Sequence, residues 1–208
     1  MATATAQTVP TRPSLLARIK DWRDDEGWRE FCTNYRGLIH GFAIRRGLPE
    51  SEVEDVVQDT FLSVAKSIQE FNYDPARCAF KTWLMDLTSK RISDHFRKRQ
   101  RAGRLGMTDP AMADQKELDS IPDPAPGELS HQWDEEWNRN LIEVALEHLK
   151  PQVDAKQFGV FYLHVIKDQP VRQVAKSYGV SSAYVYLVKH RLKRMFERAL
   201  RSVQKGWT

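Results

Sequence analysis

The chain has 208 residues, of which 41% are apolar and 29% charged, with a formal net charge of +4. That length holds one large or two small domains. No run of about 18 apolar residues occurs, so no membrane span is expected; with neither a CxxC nor a Cys/His cluster, Cys32 and Cys78 argue against a zinc site or a disulfide framework and fit a reducing cytoplasm.

Residues 1–12 are rich in Ala and Thr, lack the apolar segment of a signal peptide and read as a disordered tail. A first helix is expected over 13–20. A second pattern follows from Asp25, with Trp28, Phe31, Cys32 and Tyr35 on one face, and ends at Leu48-Pro49. Ser51 followed by Glu54 has the spacing of a capping box, which predicts a helix start there. Within that helix Val53, Val57, Phe61, Val64 and Ile68 form a core stripe. Asp55, Gln58, Asp59 and Lys66 are left facing elsewhere, as a solvated face or a partner surface.

A polar turn over 71–77 leads into a basic helix over 79–101, where Phe80, Leu84, Leu87 or Thr88, Ile92 and Phe96 point inward. Between Lys81 and Arg101 stand seven basic residues, including Lys90, Arg91, Arg97 and Lys98, against Asp86 and Asp94. A positive helix with an aromatic such as Trp83 suits single-stranded nucleic acid, where charge holds the backbone and a base stacks on a ring. The plainer reading of Trp83 is a core residue.

Residues 103–131 hold glycines, prolines and scattered acids with no periodic face, and read as a flexible linker. Fully extended, such a stretch reaches roughly 80 to 100 Å. Eighteen base pairs span only about 60 Å, so two DNA-reading domains can occupy separate sites. From residue 132 a compact helical domain is expected. Trp137, Leu141, Val144, Ala145 and Leu149 mark its first helix, and Phe158, Phe161, Tyr162 and Val165 mark the second.

The stretch from Gln169 to Phe196, QPVRQVAKSYGVSSAYVYLVKHRLKRMF, has the form of a helix-turn-helix. Val171, Val174 and Ala175 space one apolar face. Gly179 supplies the positive φ of the corner, and Ser181 or Ser182 caps the next helix. Val185, Val188, Leu192, Met195 and Ala199 form the inner stripe of that helix. From Val171 to the C-terminus there are nine Lys or Arg against the single acid Glu197, an asymmetry that fits a phosphate backbone.

Together these stretches resemble the bacterial RNA polymerase sigma factors of the sigma-70 class, in the extracytoplasmic-function (ECF) group. DVVQDTFLSVAKSI (55–68) is similar to the polymerase-binding helix of region 2, and FKTWLMDLTSKRISDHFRKRQR (80–101) to its promoter-melting helix. VRQVAKSYGVSSAYVYLVKHRLKRMF (171–196) is similar to the region 4 reader of the −35 element, and its last helix is closest in wording to planctomycete-like members. The resemblance implies an all-α fold of two small helical domains on a flexible linker, the second a four-helix domain. It places region 2 at 13–102, the linker at 103–131, region 4 at 132–204 and a tail at 205–208.

The resemblance further implies that Asp55, Gln58 and Asp59 meet core RNA polymerase. Lys81, Trp83, Lys90, Arg91, Arg97 and Lys98 would bind and melt −10 DNA. Ser182, Ala183, Tyr186, Lys189 and His190 would face the duplex −35 element, with Arg172, Arg191 and Arg194 at phosphates or the polymerase flap. It implies no cofactor or metal, no enzymatic activity, a cytoplasmic location and scope for an anti-sigma partner. Two departures stand out. Lys90 occupies a position where many members carry Asn, and LVKHRLK replaces the common SRLSRAR. The rival reading is a helix-turn-helix repressor or activator that is not a polymerase subunit.

Overall fold

A computed structural model describes residues 15–71, 80–104 and 126–206. The expected N-terminal tail, the turn after Phe71, Cys78 and most of the 103–131 linker lie outside the described residues. Among the described residues every regular element is helical.

The short helix α1 (Leu15–Arg18) tucks Leu15, Leu16 and the following Ile19 into the core. Arg18 then ties the corner: it grips Asp24 at 2.8 and 2.9 Å and Glu30 at 2.8 Å, while Asp24 caps α2 by accepting from the Gly27 amide at 2.7 Å. Helix α2 (Asp25–Arg45) buries Phe31, Tyr35, Leu38, Ile39 and Phe42. Gly47, at φ 84, reverses the chain into Pro49.

Helix α3 (Glu50–Ser67) starts at Glu50 behind Pro49 and has no side-chain cap. The expected Ser51/Glu54 capping box is therefore absent. Ser51 is already inside the helix, and Glu54 instead reaches Arg36 of α2 at 2.7 Å. The expected core stripe is present: Val53, Val57, Val64 and Ile68 are buried and Phe61 packs at its edge. Helix α4 (Phe80–Arg104) buries Phe80, Leu84, Thr88 and Ile92 against it.

Helix α5 (Pro126–Leu149) begins inside the stretch read as linker. Pro126 at its start and Glu128 in its first turn suit a helix N-terminus, where proline loses no bond and an acid meets the helix dipole. Its first half belongs to the core of α1 to α4. Trp133 stands edge-on to Phe42 at 4.9 Å, and its Nε1–H donates to the Lys81 carbonyl at 3.1 Å. Gly37 and Gly41 of α2 allow this approach. A Cβ on Gly41 would meet Glu136 Oε2 at 2.6 Å, and one on Gly37 would meet Asn140 Oδ1 at 3.2 Å. Glu136, only 2% exposed, is paired in that seam with Arg45 Nε at 2.8 Å and Arg139 at 3.0 Å, as a buried carboxylate requires. Arg45 also pairs with Glu135 at 2.5 Å.

The Arg45 guanidinium holds the Glu135 carboxyl below its ordinary range, as Arg18 holds Asp24. A carboxylate depressed in the folded state stabilises fully above its unfolded pKa, and that contribution is lost as pH falls through the folded value. Acidification below the ordinary carboxylate range should thus loosen the α2–α5 seam. A red shift of tryptophan emission at low pH, diminished in Glu135→Gln, is the expected readout.

The second core lies around the far end of α5. After a 3-10 turn at Lys150–Gln152 come α6 (Ala155–Phe161), α7 (Val171–Tyr178) and α8 (Ser182–Gly206). Leu146 and Leu149 of α5 join Val160, Phe161, Val174, Val185, Val188 and Leu192 there. Helix α8 is long enough to serve both cores, because Val203 near its end is buried with the first. Gly179 ends α7 at φ 60, and a Cβ there would meet nothing within 4 Å. Gly179→Ala should therefore cost only the left-handed backbone penalty, about 1–2 kcal/mol. Urea unfolding checks this, and a loss above about 3 kcal/mol would require a clash the structure lacks.

Candidate functional site

Three solvent-facing surfaces separate by chemistry. On α3, Asp55, Gln58 and Asp59 are all exposed. Spacings of three and four residues put them on one face with Leu62, which is 56% exposed. Gln58 and Asp59 lie one turn before Leu62 and Asp55 two turns before it, so the exposed face is mixed acidic, amide and apolar. Leu62 was not among the expected site residues, although its register with Gln58 was readable. What periodicity left open was whether a neighbouring helix covered it.

Helix α4 sorts the second group. Trp83, Lys90 and Arg97 recur at seven residues and share a stripe, with Arg91 and Lys98 beside it. Lys90 and Lys98 are exposed. Arg91 and Arg97 both lean on Asp94, at 3.2 and 2.7 Å, which orients two guanidinium groups along the helix. Trp83 is in part a core residue. One side packs on Phe71 at 4.5 Å and Phe80 at 5.6 Å, and the ring stays only partly buried. Lys81 is set apart. It lies far around the helix from Trp83, and its Nζ is held by Asp134 at 2.6 Å over the Trp137 ring. In this arrangement Lys81 joins α4 to α5.

The helix-turn-helix forms the third surface. Ser181, not Ser182, caps α8: its Oγ accepts from the Tyr184 amide at 3.2 Å, which completes the corner at Gly179. With Val185, Val188 and Leu192 turned inward, the opposite face presents Ala183, Tyr186, Leu187, His190, Arg191 and Arg194, all exposed. Ser182 and Lys189 flank that face, and Lys189 is half-buried. Arg172 is exposed on α7. Among the described residues Arg172, Lys189, Arg191 and Arg194 have no ion pair, whereas Lys193 reaches Glu197 at 4.0 Å. Unneutralised cations on one helix face suit an anionic partner.

The approach to this motif holds another feature that sequence did not reveal. Tyr162–Ile166 closes α6 as a π-helical turn, and Asp168 follows at φ 52. Such turns recur at functional sites. Here it sends His164 inward, where Nδ1–H donates to the Gln169 carbonyl at 2.9 Å and the ring stands edge-on to Tyr186 at 6.3 Å. The imidazole thus connects the loop before α7 with the outward face of α8.

The groove between α2 and α5 has the opposite charge, with Glu26, Glu30, Glu143 and Glu147 outnumbering Arg29. It is unsuited to a phosphate backbone. Among the described residues no group of three His, Cys, Asp or Glu could hold a metal ion. None of the described helices is long and apolar enough to cross a membrane.

The family model for sigma-70 region 2 matches residues 31–102, which take in the α3 acidic face and the α4 basic stripe. This stretch is thus similar to a sigma-70 region 2 domain. The chain is also 28% identical over 85 residues to the ECF RNA polymerase sigma factor RpoE of Cereibacter sphaeroides, covering 41% of this chain and 46% of that one. It is 28% identical over 148 residues to the ECF RNA polymerase sigma factor SigE of Mycolicibacterium smegmatis, covering 70% and 52%. With the ECF RNA polymerase sigma factor SigX of Bacillus subtilis it shares 28% identity over 169 residues, 80% of each chain. The matches to the first two span about half of each relative's length. These relatives and the region 2 domain support the ECF sigma-70 class.

Proposed function

We propose that the chain is an RNA polymerase sigma factor of the ECF group, which binds core polymerase and directs promoter-specific initiation. The observation that carries this reading is a region 2 match combined in one chain with a helix-turn-helix whose exposed face is cationic. In this reading 13–102 work as region 2 and 132–204 as region 4, with 103–131 as the connection. Asp55, Gln58 and Asp59, with Leu62, dock on the polymerase. Trp83, Lys90, Arg91, Arg97 and Lys98 meet the partly single-stranded −10 element. Arg172 and the outer face of α8 meet the duplex −35 element.

Physically, core polymerase fixes two weak readers on one scaffold, so the sites reinforce each other through effective concentration. Region 4 docks on duplex while region 2 captures unstacked bases, which offsets the cost of unpairing and shifts the complex toward its open form. RNA synthesis is the polymerase's chemistry, so the chain itself is not an enzyme and acts in the cytoplasm. An anti-sigma protein that masks these surfaces fits the same reading. The wording of α8, VYLVKHRLKRMF, fits a planctomycete-like lineage.

The test is co-purification of the full chain with core polymerase from its source or a relative. Stoichiometric binding is expected. Absence of core binding, with a stable dimer on a symmetric operator, would replace the proposal with a helix-turn-helix repressor.

A further inference from the structure

We infer that Leu187 is a specificity-determining residue that reads the C5-methyl group of a thymine in the upstream promoter element. The inference rests on the reading of α8 as the major-groove helix and deepens it by naming a base. Leu187 is 61% exposed and Tyr186 57% exposed. Ala183 lies one turn before them, so i, i+3 and i+4 spacing merges the three into one apolar patch at the middle of the outward face.

A solvent-facing leucine at that place is not part of either core, since Val185, Val188 and Leu192 fill the inner stripe. Its surroundings select the partner. His190, Arg191 and Arg194 continue the same face, and neither arginine has an ion pair among the described residues. The patch therefore suits a surface that is strongly anionic and carries one small apolar feature. On the floor of the major groove the apolar group displayed by a base edge is the thymine methyl. Hydrogen-bond readout points the same way. From Ser182 to Arg194 the helix has no Asn or Gln, the usual partners of adenine, and Arg191 and Arg194 remain for guanine or phosphate. His164, edge-on to Tyr186 at 6.3 Å, flanks the patch on its inner side.

The test uses the full chain with core polymerase and a promoter selected from random sequence. Each thymine of the upstream element is replaced in turn by deoxyuridine, which removes only the methyl group. At one thymine the replacement is expected to weaken promoter binding about fourfold, the worth of one buried methyl-sized contact. Leu187→Ala, a change at an exposed side chain, should bind thymine and uracil templates equally, and Leu187→Met should restore discrimination. Uracil tolerated at every upstream position, or a penalty that persists in Leu187→Ala, would overturn the inference and leave Leu187 to a protein partner. If no promoter can be selected at all, the sigma-factor reading fails before this one, so the two failures are distinguishable.

Discussion

Replacing Trp133 by alanine is expected to destabilise the protein by about 3–5 kcal/mol, the range for deleting a fully buried large aromatic. Trp133 is 1% exposed and contributes more than volume. It packs on Phe42 of α2, contacts Trp137 in its own helix at 6.4 Å, and donates to the backbone of α4 at Lys81. A residue that lies C-terminal to the matched region 2 stretch thereby completes the core of that domain. Because α5 and α8 each contribute to both cores, the wild-type chain should unfold in one cooperative transition. In Trp133→Ala the helix-turn-helix should separate as a second, independent transition. Urea unfolding followed by circular dichroism tests both parts. A loss below about 1 kcal/mol would mean that the first half of α5 is not docked on α2.

The second large effect is functional. Asp55→Lys combined with Asp59→Lys is expected to leave the fold intact and to abolish promoter-dependent transcription. Both side chains are exposed on α3 and have no ion pair among the described residues, so their effect on stability should stay within about 0.5 kcal/mol per site. At an interface chosen for charge the same change opposes like charges, at a cost of several kcal/mol, which is about two to three orders of magnitude in affinity. Circular dichroism with core-binding titration separates the two effects. A folded double variant that binds core and transcribes normally would remove α3 as the docking face.

Much of this organisation was readable in the residues themselves. Val53, Val57 and Val64 in α3, Ile68 just past its end, and Val185, Val188 and Leu192 in α8 follow a helical period, and each is buried. Gly179 and Ser181 form the corner their chemistry predicts. What escaped the sequence depends on which helices meet. The Ser51/Glu54 spacing resembles a capping box, yet Pro49 already starts the helix and Arg36, far away in sequence, claims Glu54. Lys81 counts as one more cation until α5 brings Asp134 and Trp137 to it. Pro126 to Ser130 lack a persistent apolar face, so the start of α5 merged with the linker. Leu62 and Leu187 satisfy apolar periodicity poorly, and only the three-dimensional packing shows that no neighbour covers them.

The sigma-factor proposal is tested most directly by transcription with purified core RNA polymerase, with and without this chain, on templates whose upstream regions are random sequence. Start sites would be mapped on the selected templates. Discrete starts that require the chain are expected, preceded by paired motifs near −35 and −10, with the upstream motif lost when α8 is altered and the downstream one when Trp83 or Lys90 is altered. Core polymerase that gains no start site from the folded chain would contradict the proposal.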